Sequence, residues 1–266
     1  MKLLKEFSKP GKDFHVMAHT CYGNCESKIY IKSLSEHLAY DFSTDELYRT
    51  HVPNATHYHH KGHLYSVRHV WNGRFPISTF FIDAEEVSNY KDFPAHDKTL
   101  YHNGEEWIMY VRGWPRENNE ISIQTSTDFV YWSNPRLVKI HGTFHHESIY
   151  SFGVFEVNKE MYAVANILTH GDVFHVPDYH AGEFKIYPKA FKEIEGAWYV
   201  FTGINFDNIV GNSEQCFINV CVKGDTAYIT TQESMRKHTH YCNIHEMETK
   251  PMFSRIFEMP VSELIK

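Results

Sequence analysis

Short stretches in which apolar and polar positions alternate recur along most of the chain. Residues 28–33, 62–69, 77–82, 106–112, 120–126, 161–167, 198–203, 216–222 and 226–231 are rich in β-branched or aromatic side chains, and Gly, Asn, Asp or Pro separates many of them. Patterning of this kind and length predicts strands. Helix-period segments are scarce: only 33–38, 83–87 and 261–266 read as short helical turns. The pattern therefore predicts an all-β chain.

A repeat underlies the strands. A shift of 43 positions lays Asn54 on Asp97, Tyr58 on Tyr101, His59 on His102 and Trp71 on Trp114. It also lays the strand around Leu64 to Val67 on that around Trp107 to Tyr110, and the strand at 77–82 on that beginning at Glu120. A period of about 40 to 50 residues with some four strands per unit is the size of a propeller blade. Looser units run from 14 to 42, from 147 to 187 and from 212 to 253, which predicts a five-bladed β-propeller rather than a β-sandwich or an irregular barrel. No linker rich in Pro, Gly or Ser divides residues 1–266, so a single domain is expected.

Composition narrows the function classes. Aromatic residues make up 15% of the 266, and the net charge is −7 with His neutral. No run of Lys or Arg exceeds two, so nothing resembles a phosphate-neutralising footprint and nucleic acid is not expected as a partner. The N-terminus carries charge among its first apolar residues and no stretch reaches the roughly 18 apolar residues of a membrane span, so a cytoplasmic protein with no membrane partner is expected. The five cysteines are odd in number, which suits reduced thiols. Cys21 and Cys25 lack a second pair at zinc-site spacing. Cys216 and Cys221, on one strand at odd spacing, face opposite sides and are not expected to bond.

The segment from Asp97 to Tyr110, followed by Ile121 to Ser133 with Ser126, Asp128 and Trp132 in a Ser-x-Asp-x-x-x-Trp arrangement, resembles a blade of the five-bladed β-propeller glycosidases, the group that includes glycoside hydrolase families 43 and 32. The resemblance implies carbohydrate as the substrate. It also implies three acidic residues on successive blades, serving as base or nucleophile, acid-tuning carboxylate and general acid. Carried onto this chain, Asn54 falls where the first carboxylate would be, Asp97 where the tuning carboxylate would be, and Glu147 near the general acid. Asn54 is a departure, because an amide is not a base near neutral pH. Glu214, ahead of the strand at 216–222, is the spare carboxylate.

The physical reading of these residues runs beside the resemblance. The innermost strand of each propeller blade lines the channel, so residues at its start converge although they are far apart in sequence. Cleaving a glycosidic bond takes an acid to protonate the leaving oxygen and a carboxylate to activate water or attack the sugar, about 5 to 10 Å apart. Asp97, Glu147 and Glu214 are the catalytic candidates. Asn54, His57, Arg68, Trp71, His96, Arg112, Trp114 and His146 are the substrate-binding candidates, because aromatic faces stack on sugars and guanidinium groups fix hydroxyls or carboxylates. Ser126 and Asp128 read as a turn fixed by hydrogen bonds rather than as chemistry.

No cofactor is required by this reading, although the 20 His, among them His15, His19, His57, His59, His60, His63, His96, His145 and His146, leave a divalent metal at the axis open. Two other functions stay open beside a hydrolase: a noncatalytic carbohydrate-binding propeller, and a metal-dependent lyase or hydrolase built on the histidines. No Gly-rich nucleotide loop, serine nucleophile elbow or zinc-protease helix is present.

Overall fold

Tight two-residue turns cut the chain into antiparallel meanders. In the computed structural model, which describes residues 1–9, 28–32, 37–41, 43–49, 55–71, 76–91, 95–113, 120–143, 147–170, 184–204, 206, 209, 215–234 and 252–266, nearly everything is strand. Lys61 and Gly62, Asp83 and Ala84, Asn158 and Lys159, and Glu195 and Gly196 all take φ between 49° and 81°. That left-handed geometry lets a two-residue loop match the right-handed twist of the strands it joins. The helical turn expected over 83–87 is absent: Asp83 and Ala84 are a hairpin turn and a strand begins at Glu85. The apolar spacing of Ala84 and Val87 arises there from a turn running into a strand.

Strand β1 (Lys2–Lys9) is followed by a three-stranded meander, β2 (Lys28–Lys32), β3 (His37–Asp41) and β4 (Glu46–Arg49). Next come β5 (Ala55–His60), β6 (His63–Trp71), β7 (Pro76–Ile82) and β8 (Glu85–Lys91). The following two meanders are β9 (Ala95–His102), β10 (Trp107–Gly113), β11 (Ile121–Ser126) and β12 (Arg136–His141), then β13 (Glu147–Val157), β14 (Glu160–His170), β15 (Phe184–Ile194) and β16 (Ala197–Val200). Their outer strands, β12 and β16, pair in parallel and join them into one eight-stranded sheet. The last sheet is β17 (Gln215–Lys223), β18 (Thr226–Ser234) and β19 (Met252–Pro260), with β1 added along β19 in antiparallel register. Ion pairs Lys2–Glu258 and Glu6–Arg255, both 2.8 Å, flank that seam. A single helical turn, α1 (Val261–Leu264), lies within the expected 261–266.

The 43-residue repeat is kept in hydrogen-bond register. Thr56 pairs with Val67 and Thr99 with Tyr110; Tyr58 with Tyr65 and Tyr101 with Ile108; Arg68 with Thr79 and Val111 with Ser122. Each second pair lies 43 positions after the first. Strands at 2–9, 136–141 and 184–194 carry no clear sequence signal: β12 is exposed along much of its length, and β15 holds Pro188 with Lys185, Lys189 and Lys192.

The first strands of successive meanders lie side by side and are stapled to one another. Thr56 Oγ1 donates to the Lys98 carbonyl (2.8 Å) and its repeat partner Thr99 donates to the Phe152 carbonyl (2.7 Å). Asn166 of β14 makes the next link, donating to the Ile218 carbonyl (3.1 Å) and accepting the Ile218 N–H (2.8 Å). Among the described residues, two large apolar clusters lie between the sheets. One centres on Tyr65, Phe80, Trp107, Phe129 and Trp132, with edge-to-face and stacked rings, and continues to Phe152, Phe191 and Trp198. The other joins Phe155, Tyr162 and Val164 to Ile218, Ile229 and Phe257.

The Ser-x-Asp-x-x-x-Trp segment is the turn its sequence predicts. Ser126 Oγ donates to Asp128 Oδ1 and accepts the Phe129 N–H, while Asp128 Oδ1 accepts the N–H groups of Val130 and Tyr131, both at 2.9 Å. This network holds Phe129 at φ 65° with its ring fully buried.

Candidate functional site

β9 and β13 run in the same direction, since Thr99 reaches Phe152 and Tyr101, further along, donates to Glu156. Their starting ends are therefore neighbours, and Asp97 and Glu147 belong to those ends. Asp97 and His96 are placed by backbone position in β9, two and three residues ahead of the Thr99 staple.

Glu147 is the first residue of β13 and only 2% exposed. Strict alternation would set it on the face opposite Phe152. An irregularity between Ile149 and Ser151 shifts the register by one residue. Ile149 consequently joins Phe152 in the first cluster, whereas Ser151 turns to Asn166 on the other side. Glu147, two residues before Ile149, shares the Ile149 face. Across β14, Ile149 is followed by Ile167 and Tyr187, and Phe152 by Ala165 and Lys189.

Lys189 Nζ lies 2.9 Å from Glu147 Oε1 and 2.8 Å from Oε2, and it also donates to the Gly142 carbonyl at 3.1 Å. The Tyr187 hydroxyl donates to Glu147 Oε1. Burial, reinforced by that bond to the carboxylate, pushes Tyr187 ionisation well above the ordinary phenol range. Gly142 sits at φ 90°, and a Cβ there would meet Val200 Cγ2 at 2.4 Å. A residue without a side chain is thus required where the backbone presents its carbonyl to Lys189.

Arg112 approaches from the neighbouring meander. It is 3% exposed and shares a face of β10 with Tyr110, whose ring packs 6.0 Å from both Phe152 and Trp198. Because β10 is antiparallel to β9, Arg112 lies beyond Tyr110 toward the starting ends of β9 and β13. Arg68 goes elsewhere. Its repeat counterpart is Val111, so it occupies the opposite face from Arg112, and its guanidinium lies 5.1 Å above the Phe81 ring. His57 is buried within its own sheet, its Nδ1 2.7 Å from Ser66 Oγ. Trp71 ends β6. Asn54, Trp114, His146 and Glu214 lie outside the described residues, as do His15, His19 and His145.

Lys189 and Tyr187 were not legible as site residues. A lysine and a tyrosine two positions apart share a strand face, which is the one signal available, yet nothing local says that the face is buried against Glu147. Among the described residues no group of three or more His, Cys, Asp or Glu gathers as a metal site, and no helix is long and apolar enough to cross a membrane.

No family model matches the chain and no curated protein matches its sequence. Solved structures do match its fold. A Bombyx mori GH32 β-fructofuranosidase bound to sucrose superposes with a TM-score of 0.55 at 9% identity, over 97% of this chain and 63% of that one. A Penicillium chrysogenum α-L-arabinanase complexed with arabinobiose gives 0.54 at 11% identity, over 100% and 99%. A Xanthomonas citri GH43_1 enzyme complexed with xylose gives 0.55 at 10%, over 95% and 90%. The chain thus spans less than two thirds of the length of the silkworm enzyme, and identities this low carry the fold alone: a nearly all-β, propeller-like architecture.

Proposed function

We propose that this protein is a carbohydrate-active enzyme, a five-bladed propeller that cleaves a glycosidic bond using Glu147 as general acid and Asp97 as its companion carboxylate. The observation that carries the reading is a nearly inaccessible carboxylate, Glu147, at the start of β13 beside the start of β9, where Asp97 stands. Carboxylates are rarely buried this deeply without a structural or chemical task. The architecture shared with sugar-bound glycosidases supports sugar as the ligand.

In the proposed reaction Glu147 gives its proton to the leaving glycosidic oxygen as the bond to the anomeric carbon breaks. A water adds to that carbon, and its proton passes to Asp97 or to Glu214. Arg112, with Trp71, Trp114, His96, His146 and Asn54 as candidates, binds and orients sugar hydroxyls. Asn54 favours a second reading, a propeller that binds carbohydrate without turnover, because an amide cannot act as the base its position would call for.

The test is hydrolysis of a panel of aryl glycosides by the wild type and Glu147→Gln, with the metal content of the purified protein measured in parallel. Turnover lost on this one substitution in metal-free protein supports the hydrolase. Binding of sugars without turnover, unchanged in Glu147→Gln, supports the binding propeller. Stoichiometric metal without glycoside turnover moves the chemistry to the histidines.

A further inference from the structure

Both oxygens of the Glu147 carboxylate accept from β15. Oε1 takes the Tyr187 hydroxyl and Lys189, and Oε2 takes Lys189. An adjacent ammonium favours the ionised carboxylate, and so does each hydrogen bond donated to it. A general acid must instead carry a proton when the substrate arrives. Among the described side chains, the charged and titratable groups facing Glu147 are Lys189 and Tyr187 from β15, with Arg112 on the face that β10 turns toward this meander, and the backbone of β9 brings Asp97 to the neighbouring strand start. Lys98 belongs to the other face of β9 from Thr99 and Tyr101, the residues that reach β13.

We propose that Lys189 is a positioning residue: it fixes where the Glu147 carboxylate sits and sets the pH range over which Glu147 can deliver a proton. The inference deepens the hydrolase reading and rests on it. Lys189 is itself anchored by the Gly142 carbonyl, so its ammonium keeps a fixed place relative to both carboxylate oxygens. Burial by itself favours the protonated acid, the Lys189 ammonium opposes it, and on this reading Lys189 sets the alkaline limit of activity.

The experiment compares wild type, Lys189→Met, Lys189→Arg and Tyr187→Phe. The alkaline limb of kcat/KM against pH is measured, and Glu147 ionisation is followed by carboxyl infrared difference spectra taken against Glu147→Gln, which needs no turnover. Lys189→Met should move both the limb and the titration upward by about one pH unit or more. Lys189→Arg should leave both near wild type, and Tyr187→Phe should move both upward by less. An unmoved Glu147 titration in Lys189→Met overturns the proposal. If that variant does not fold, Lys189→Gln, which keeps a polar head group for the Gly142 carbonyl and removes the charge, takes its place, and an unmoved titration there overturns the proposal instead. A shifted titration in a protein that turns over no glycoside upholds the control of Glu147 by Lys189 and overturns the hydrolase reading alone.

Discussion

Lys189 and Glu147 form a two-point ion pair at 2.8 and 2.9 Å with the carboxylate almost wholly buried. Taking one member away leaves the other charge without its counterion in a low-dielectric site. Lys189→Met should therefore cost about 3 to 5 kcal/mol in urea unfolding, whereas Glu147→Gln combined with Lys189→Met should recover most of the loss. Additive losses in the double variant would show that the two side chains are not coupled.

Gly142 holds the carbonyl that anchors Lys189. Gly142→Ala puts a methyl group at positive φ and 2.4 Å from Val200 Cγ2. A cost of about 1 to 3 kcal/mol is expected, and Gly142→Ala combined with Val200→Ala should be less unstable than Gly142→Ala plus the separate cost of Val200→Ala. Thermal unfolding of the three variants checks this.

The staples between first strands should be individually weighty. Thr99→Val keeps the shape and removes the hydroxyl that satisfies the buried Phe152 carbonyl, for an expected loss of about 1 to 3 kcal/mol. Equilibrium unfolding of this variant against Thr99→Ser, which keeps the hydroxyl, separates the hydrogen bond from the methyl contact.

Asp128 is held below the usual carboxylate range, chiefly by the N–H groups of Tyr131 and Val130. Its folded-state pKa is depressed, so its stabilising contribution is complete above about pH 4, the unfolded value, and is lost as pH falls through the folded value. Asp128→Asn should lower stability at neutral pH and flatten the acid limb of a stability-versus-pH curve, the difference from wild type shrinking as pH falls through the folded value.

Tyr40 behaves with the opposite sign. Burial first, then its hydrogen bond to Asp45, pushes its ionisation up to about 12. The neutral phenol is favoured by the fold, so the contribution is complete below about pH 10 and disappears as pH rises toward 12. Ultraviolet titration of tyrosinate should show several late-ionising groups, Tyr101, Tyr110 and Tyr187 among them, and one fewer in Tyr40→Phe.

Alternation, turn residues and the 43-residue shift were enough to read an all-β chain, the pairing of one repeat on the next, and the Ser126–Asp128 turn as structure, because each depends on neighbours within a few tens of residues. Tertiary structure alone decided the rest. The irregularity in β13 reverses the face that parity assigns to Glu147; Arg68 and Arg112, which look like companions in the sequence, stand on opposite faces; and β1 closes onto β19 from the far end of the chain. The partners of Glu147 are 40 and 42 residues away. Whether a lysine on an alternating strand meets water or a carboxylate depends on what packs over that face, and local sequence does not record it.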